Sequence, residues 1–185
     1  MSFIHKPRGR RIHTRNIEVS TYEYDEKRLV VEGSLTDHSF QEYHLETGEK
    51  RLPGVIHGMV ICMLVAISTL EIEDIDVEMP TIPREECAET RESLLPVRGL
   101  KIIPGFTLKI RELIGGTKGC AHLKALLSSM AGAAVQGWGV YQLQNPIDFE
   151  SKRAAMFQAL VNTCRTWRED GPLVKEYQRL LHRAQ

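Results

Sequence analysis

The first part of this chain is patterned with period two and the rest with helical spacing, and the change falls near Gly99. Strands that come first, with helices after rather than between them, point to an α+β domain. The expected form is an N-terminal antiparallel sheet followed by C-terminal helices packed on one face. Ile17-Glu18-Val19-Ser20-Thr21-Tyr22 and Leu29-Val30-Val31-Glu32-Gly33-Ser34-Leu35 are rich in β-branched and aromatic residues. The polar pair Asp25-Glu26 between them reads as a hairpin turn. Residues 40–45 add another strand. Pro53-Gly54 marks a turn, residues 55–67 read as a buried strand after His57, and residues 72–79 pair with it. Glu71, Glu73, Asp74, Asp76 and Glu78 then form an acidic solvent face. Residues 79–96, which carry Cys87, read as a loop or short helix.

Beyond Gly99, Phe106, Ile110, Leu113 and Ile114 share one helical face, and Gly115-Gly116 stops that helix as a C′ glycine does. After Gly119 a helix of small residues carries Leu123, Leu126, Leu127, Met130, Ala134 and Val135 on one side. Pro146 breaks the chain, and residues 149–167 form a helix through Met156, Leu160 and Cys164. Gly171-Pro172 ends it, and a last amphipathic helix uses Leu173, Tyr177, Leu180 and Leu181. The N-terminal arm, residues 1–15, is basic through Lys6, Arg8, Arg10, Arg11 and Arg15, with His5 and His13 interleaved. Residues 16–185 are one domain, its sheet in 16–80 and its helical part in 99–185. A chain of 185 residues can bury a core of its own.

Charge narrows the function classes. Lys plus Arg number 24 against 24 Asp plus Glu, a formal net charge of zero. A general nucleic-acid or membrane-surface binder needs a basic excess to neutralise phosphates, so both are argued against. No stretch reaches the roughly 18 apolar residues that cross a bilayer. The basic first residues lack the apolar core of a secretory signal. Cys62, Cys87, Cys120 and Cys164 lie far apart, which fits a reduced cytoplasmic thiol set better than a disulfide framework. Nothing identifies a partner, and self-association stays open.

The segment Gly115-Gly116-Thr117-Lys118-Gly119-Cys120-Ala121-His122-Leu123 carries the chemistry. A glycine-rich approach leads into a helix whose first amides and dipole favour a thiolate at Cys120, with Lys118 adding positive charge. Cys120 and His122, two residues apart, would lie about 200° apart on a helix. They converge only if the helix begins between them. Zinc and iron both accept thiolate with imidazole, and a closed site takes about four such ligands. The candidate ligands are therefore Cys120 and His122 together with His57, Cys87 and Cys164, around zinc or iron. The alternatives are an enzyme that uses Cys120 as nucleophile with His57 or His122 as base, and an interaction domain whose thiols are merely packed. Cys62 reads as a small core hydrophobe. His38, His44 and His182 read as exposed.

A resemblance covers most of the chain. Arg15, Leu35-Thr36-Asp37, Pro53-Gly54 with His57 and Met59, and Cys87 after a proline are its first features. Gly99, Pro104-Gly105-Phe106, Gly115-Gly116, Gly119-Cys120 with His122-Leu123, Gln136, and Cys164 ahead of Asp170-Gly171-Pro172 continue it. In these the chain resembles the bacterial DUF2889 family, a domain of unknown function, which implies no activity. It departs from that pattern at Gly58 and Ser68, where acidic residues are common, and at Ala121, where threonine is. The arrangement is also similar to iron–sulfur scaffold proteins, which implies a metal held by Cys120, Cys164 and one of His57 or Cys87. Val55-Ile56-His57-Gly58-Met59 resembles the His-Gly start of the central helix in hot-dog acyl-thioester hydrolases, although residues 60–67 are β-rich.

Overall fold

The computed structural model describes residues 4, 6–144, 154, 156–158 and 160–183. Strands β1 (His13–Glu23), β2 (Arg28–Ser39), β5 (Gly54–Ala66) and β6 (Ile72–Thr81) form one antiparallel meander in that spatial order. The strand expected at residues 40–45 appears as a two-residue ribbon, β3 (Tyr43–His44) with β4 (Lys50–Arg51). A 3₁₀ segment, Glu85–Val97, leads to α1 (Phe106–Ile114). A single 3₁₀ turn, Gly116–Lys118, then leads to the long α2 (Ala121–Leu143), and α3 (Pro172–Arg183) closes the described chain. The fold class is α+β, sheet first and helices after.

Alternation decides which face of the sheet is covered. In β2, Leu29, Val31, Gly33, Leu35, Asp37 and Ser39 are buried and the residues between them are more open. In β5 the buried apolar residues are Met59, Ile61, Met63 and Val65, and the register sets Leu35 opposite Met59 and Val31 opposite Met63. Opposed residues share a face, so both strands offer one apolar surface. Helix α2 covers it with Leu123, Leu126, Leu127, Met130 and Ala134, the spacing read from the sequence. A Cβ at Gly137 would sit 2.3 Å from Thr21 Oγ1, so glycine lets α2 press against β1. The Trp138 indole donates to the Ile67 carbonyl at 2.8 Å and pins the second half of α2 over the β5–β6 turn. The opposite face of β6 carries exposed Asp74, Asp76 and Glu78, the acidic solvent face.

Two boundaries differ from the expectation, and a third, the end of α1, agrees with it. Strand β1 opens at His13, so His13 and Arg15 belong to the sheet and not to the arm. At the end of α1, Gly115 is extended and Gly116 takes the left-handed conformation at φ 63°, which makes Gly116 the C′ glycine. The helix expected at 149–167 falls partly outside the described residues, as does Pro146. Within the described part Asn162 is left-handed at φ 63°. Its amide donates to the Trp167 carbonyl at 2.8 Å, and its side-chain oxygen accepts from the Glu169 amide at 2.9 Å. This Asn-closed turn ends helical structure before Cys164, which stands exposed on the turn. Beside it Phe157 and Tyr177 stack at 5.7 Å, with the Trp167 ring edge-on, where α3 docks through buried Val174.

Candidate metal centre

The sheet register builds the first half of the site. Arg15 pairs with Asp37 across β1 and β2, and Asp37 pairs with His57 across β2 and β5. The three side chains form a cross-strand row at the polar end of the covered face. The β2–β5 register shifts immediately after Asp37, between Asp37 and His38; bulges of this kind re-aim side chains beside functional sites. Asp37 is only 2% exposed. Arg15 grips it with two parallel bonds, Nε to Oδ1 and Nη2 to Oδ2, each 2.7 Å. His57 Nδ1 lies 3.0 Å from Oδ2 and His13 Nε2 3.4 Å from Oδ1.

The second half arrives with the N-terminus of α2. Gly119 is extended, and a Cβ there would meet Ser93 Oγ at 2.7 Å and the Ile114 carbonyl at 3.0 Å. Glycine therefore lets the chain pass close to α1 and deliver Cys120 as the extended N-cap of α2. His122, in the first turn, stacks on His57 with ring centroids 3.8 Å apart and planes at 28°. Its Nε2 lies 3.6 Å from Asp37 Oδ2 and its Nδ1 3.6 Å from Cys120 Sγ. Helix onset between Cys120 and His122 is what lets the two converge.

Electrostatics follow from these contacts. The Arg15 hydrogen bond, outweighing burial, holds the Asp37 carboxyl below the usual carboxylate range. Burial lowers the His57 imidazole, and the opposing pull of Asp37 does not restore it. The shift favours the neutral ring, the state in which imidazole ligates metal. Burial pushes the Cys120 thiol up, but His122 and the Leu123 and His122 amides outweigh it, and the net shift is downward.

One ligand atom from each of Asp37, His57 and His122 lies within 4.8 Å of the other two. Two imidazoles with one carboxylate are a donor set that zinc and non-haem iron both accept. A carboxylate offers about four lone-pair sites. The two bonds from Arg15 therefore leave Asp37 room to ligate.

The family model described as "Protein of unknown function (DUF2889)" matches residues 13–136. The chain belongs to that family. The DUF2889 match opens on His13, the first residue of β1, and spans Arg15, Asp37, His57, Cys120 and His122. Cys164 lies beyond it. No curated protein and no solved structure matches the chain, so the likeness to iron–sulfur scaffolds is not shown.

Of the five ligands expected from the sequence, the fold of this DUF2889 chain brings His57, Cys120 and His122 together. Cys87 sits half-buried in the 3₁₀ segment, packed against the core, its carbonyl accepting from Thr90 Oγ1 at 2.7 Å. Cys164 is on its exposed turn. Neither belongs to the three-residue group. Lys118 does not face the thiol; its ammonium donates to the Glu112 carbonyl at 2.8 Å and caps the end of α1. Residues 55–59 are strand β5, which overturns the hot-dog comparison because that fold needs a helix there. Cys62 is not in the core. It is half-buried on the uncovered face, 3.7 Å from Glu32 Oε2, and burial raises its thiol. His38 is half-buried beside the Phe40 ring at 4.6 Å.

In the sequence Asp37 reads only as a family feature, and Arg15 as a family feature and part of the basic arm, neither with a role in the site. The signal was present in the alternation. Leu29, Val31, Gly33 and Leu35 set the inward phase of β2 and Asp37 continues it. A carboxylate on a buried phase needs a partner.

Proposed function

We propose that this DUF2889 chain binds one divalent transition-metal ion, zinc or iron, through Asp37, His57 and His122. The observation that carries the reading is the convergence of three ligand atoms within 4.8 Å around a buried carboxylate. Arg15 orients Asp37. Three protein ligands leave coordination positions to water or a small molecule, the pattern of exchangeable centres and not of closed structural ones. The His57 and His122 side chains are 15% and 27% exposed, so the pair can be reached from solvent. When bound, such an ion supplies Lewis-acid activation of a ligand at those positions. A cytoplasmic setting, with the thiols reduced, completes the proposal.

A second reading has one observation in its favour. Cys120 caps a 23-residue helix with His122 Nδ1 at 3.6 Å, the arrangement of an activated thiol nucleophile. Elemental analysis of protein purified without a metal-affinity tag separates the two. About one zinc or iron per chain supports the metal centre. Metal-free protein whose Cys120 alkylates with iodoacetamide well below the pH of an ordinary thiol supports the nucleophile instead.

A further inference from the structure

The His122 ring meets a different neighbour at each nitrogen: Cys120 Sγ at Nδ1 and Asp37 Oδ2 at Nε2, both at 3.6 Å. The two nitrogens of an imidazole diverge, so a single ion takes one or the other. Either gap suits two atoms that share an ion through bonds of roughly 2.0–2.3 Å. The count of further donors decides. The group whose ligand atoms lie within 4.8 Å of one another is Asp37, His57 and His122, without Cys120. An ion at Nδ1 would hold the sulfur and one imidazole. An ion at Nε2 is offered Asp37 and the His57 ring stacked alongside.

We infer that Cys120 is not a ligand of this centre but its positioning residue. Its sulfur accepts the Nδ1–H of His122, fixes the tautomer, and turns Nε2 toward Asp37 and His57. This inference rests on the metal centre proposed above. Metal-bound histidines ordinarily give their second N–H to a carboxylate or carbonyl acceptor that holds the ring in place. Here a half-buried sulfur at a helix N-cap takes that part. The sulfur is itself held in place, since Gly119 admits Ser93 and the Ile114 carbonyl from one side and Cys120 packs against the core. The centre thus depends on a thiol outside its ligand set, and alkylation of that thiol loosens the ion while all three ligands remain.

Cobalt(II) titration of the full chain tests this, using wild type, Cys120→Ser and Cys120→Ala. Wild type should take up one cobalt with d–d absorption and no sulfur-to-cobalt charge-transfer band. Cys120→Ala should bind roughly 10–100-fold more weakly, the usual loss for an outer partner of a ligating histidine, with the d–d pattern retained. Cys120→Ser guards against a folding defect, because serine is a favoured N-cap. NMR of the imidazole nitrogens in zinc-loaded protein should show a proton on His122 Nδ1 and metal on Nε2. A charge-transfer band that Cys120→Ser abolishes makes Cys120 a ligand and overturns the inference while a metal centre stands. Unchanged cobalt affinity in Cys120→Ala also overturns it. Absence of stoichiometric cobalt in wild type overturns the metal centre first and this inference with it.

Discussion

Along β2 the inward positions run Leu29, Val31, Gly33 and Leu35, then Asp37, and the neighbouring strands change character at the same level. In β5 the apolar end holds Met63, Ile61 and Met59, and His57 follows. In β1, Thr21, Val19 and Ile17 give way to Arg15 and His13. Helix α2 matches both ends, with Leu126, Leu127, Met130 and Ala134 over the apolar part and Cys120 with His122 over the polar part. Backbone, register and covering helix are continuous across the change; only side-chain chemistry differs. At the apolar end burial stabilises by roughly 25 cal/mol per Å². At the polar end a buried carboxylate costs free energy unless paired, and the pairing with Arg15 at best offsets that cost. An arrangement that contributes so little to folding is where function is expected.

The sharpest way to break this comparison is at its apolar end. Met63→Ala or Leu126→Ala should cost roughly 2–5 kcal/mol in urea unfolding, since both side chains are fully buried in the core. Folded molecules of either variant should still bind one metal. A still-folded core variant that has lost its metal would show that the two ends are not separable.

Asp37→Ala should behave in the opposite way. It removes a ligand and leaves Arg15 and His57 without their acceptor. Metal binding should vanish, while stability falls by about 1–3 kcal/mol, less than a fully buried pair would lose because Arg15 is 38% exposed. Asp37→Asn should lose the metal at a smaller stability cost. Full metal occupancy in either variant would remove the carboxylate from the centre.

Acid should act on the polar end in two stages. The His57 ring resists protonation in the folded state while the unfolded imidazole accepts a proton near its ordinary value of about 6.5. Stability of metal-free protein therefore falls as pH drops through that value. Asp37 is lowered, so its contribution is present above the ordinary carboxylate value of about 3.9 and is lost as pH falls below it. Urea midpoints measured against pH should show both losses. Asp37→Asn should show a smaller second loss, with the Asp25–Arg28 pair still contributing to it, and an identical acid profile in that variant would contradict the assignment.

The smallest effect belongs to the uncovered face. Cys62→Ser should change stability by no more than about 0.5 kcal/mol, as surface substitutions usually do, and leave metal binding intact. A loss as large as that of Met63→Ala would place Cys62 in the core after all.

Much of the fold was legible because alternation and helical spacing each report one buried face. Leu123 to Ala134 and the strands β1, β2, β5 and β6 followed directly. Two local features escaped. Asn162 turns the chain through a side-chain bond to a residue seven positions on, which periodicity does not register. The uncovered face of β5 holds Cys62, and apolar runs alone do not tell which side of a strand stays open. In the site, His57, Cys120 and His122 stood out by residue type and by the glycines before the helix. Arg15 and Asp37 are joined by strand register, which brings residues 22 positions apart into contact and shows in the sequence only as a charge on the inward phase.

The most direct test of the central claim is calorimetric titration of metal-free protein with zinc, comparing wild type with His57→Ala, His122→Ala and Met63→Ala. The account predicts one site per chain in wild type and in folded Met63→Ala, and none in either histidine variant. One undiminished site in both histidine variants, or no site in wild type, would contradict it.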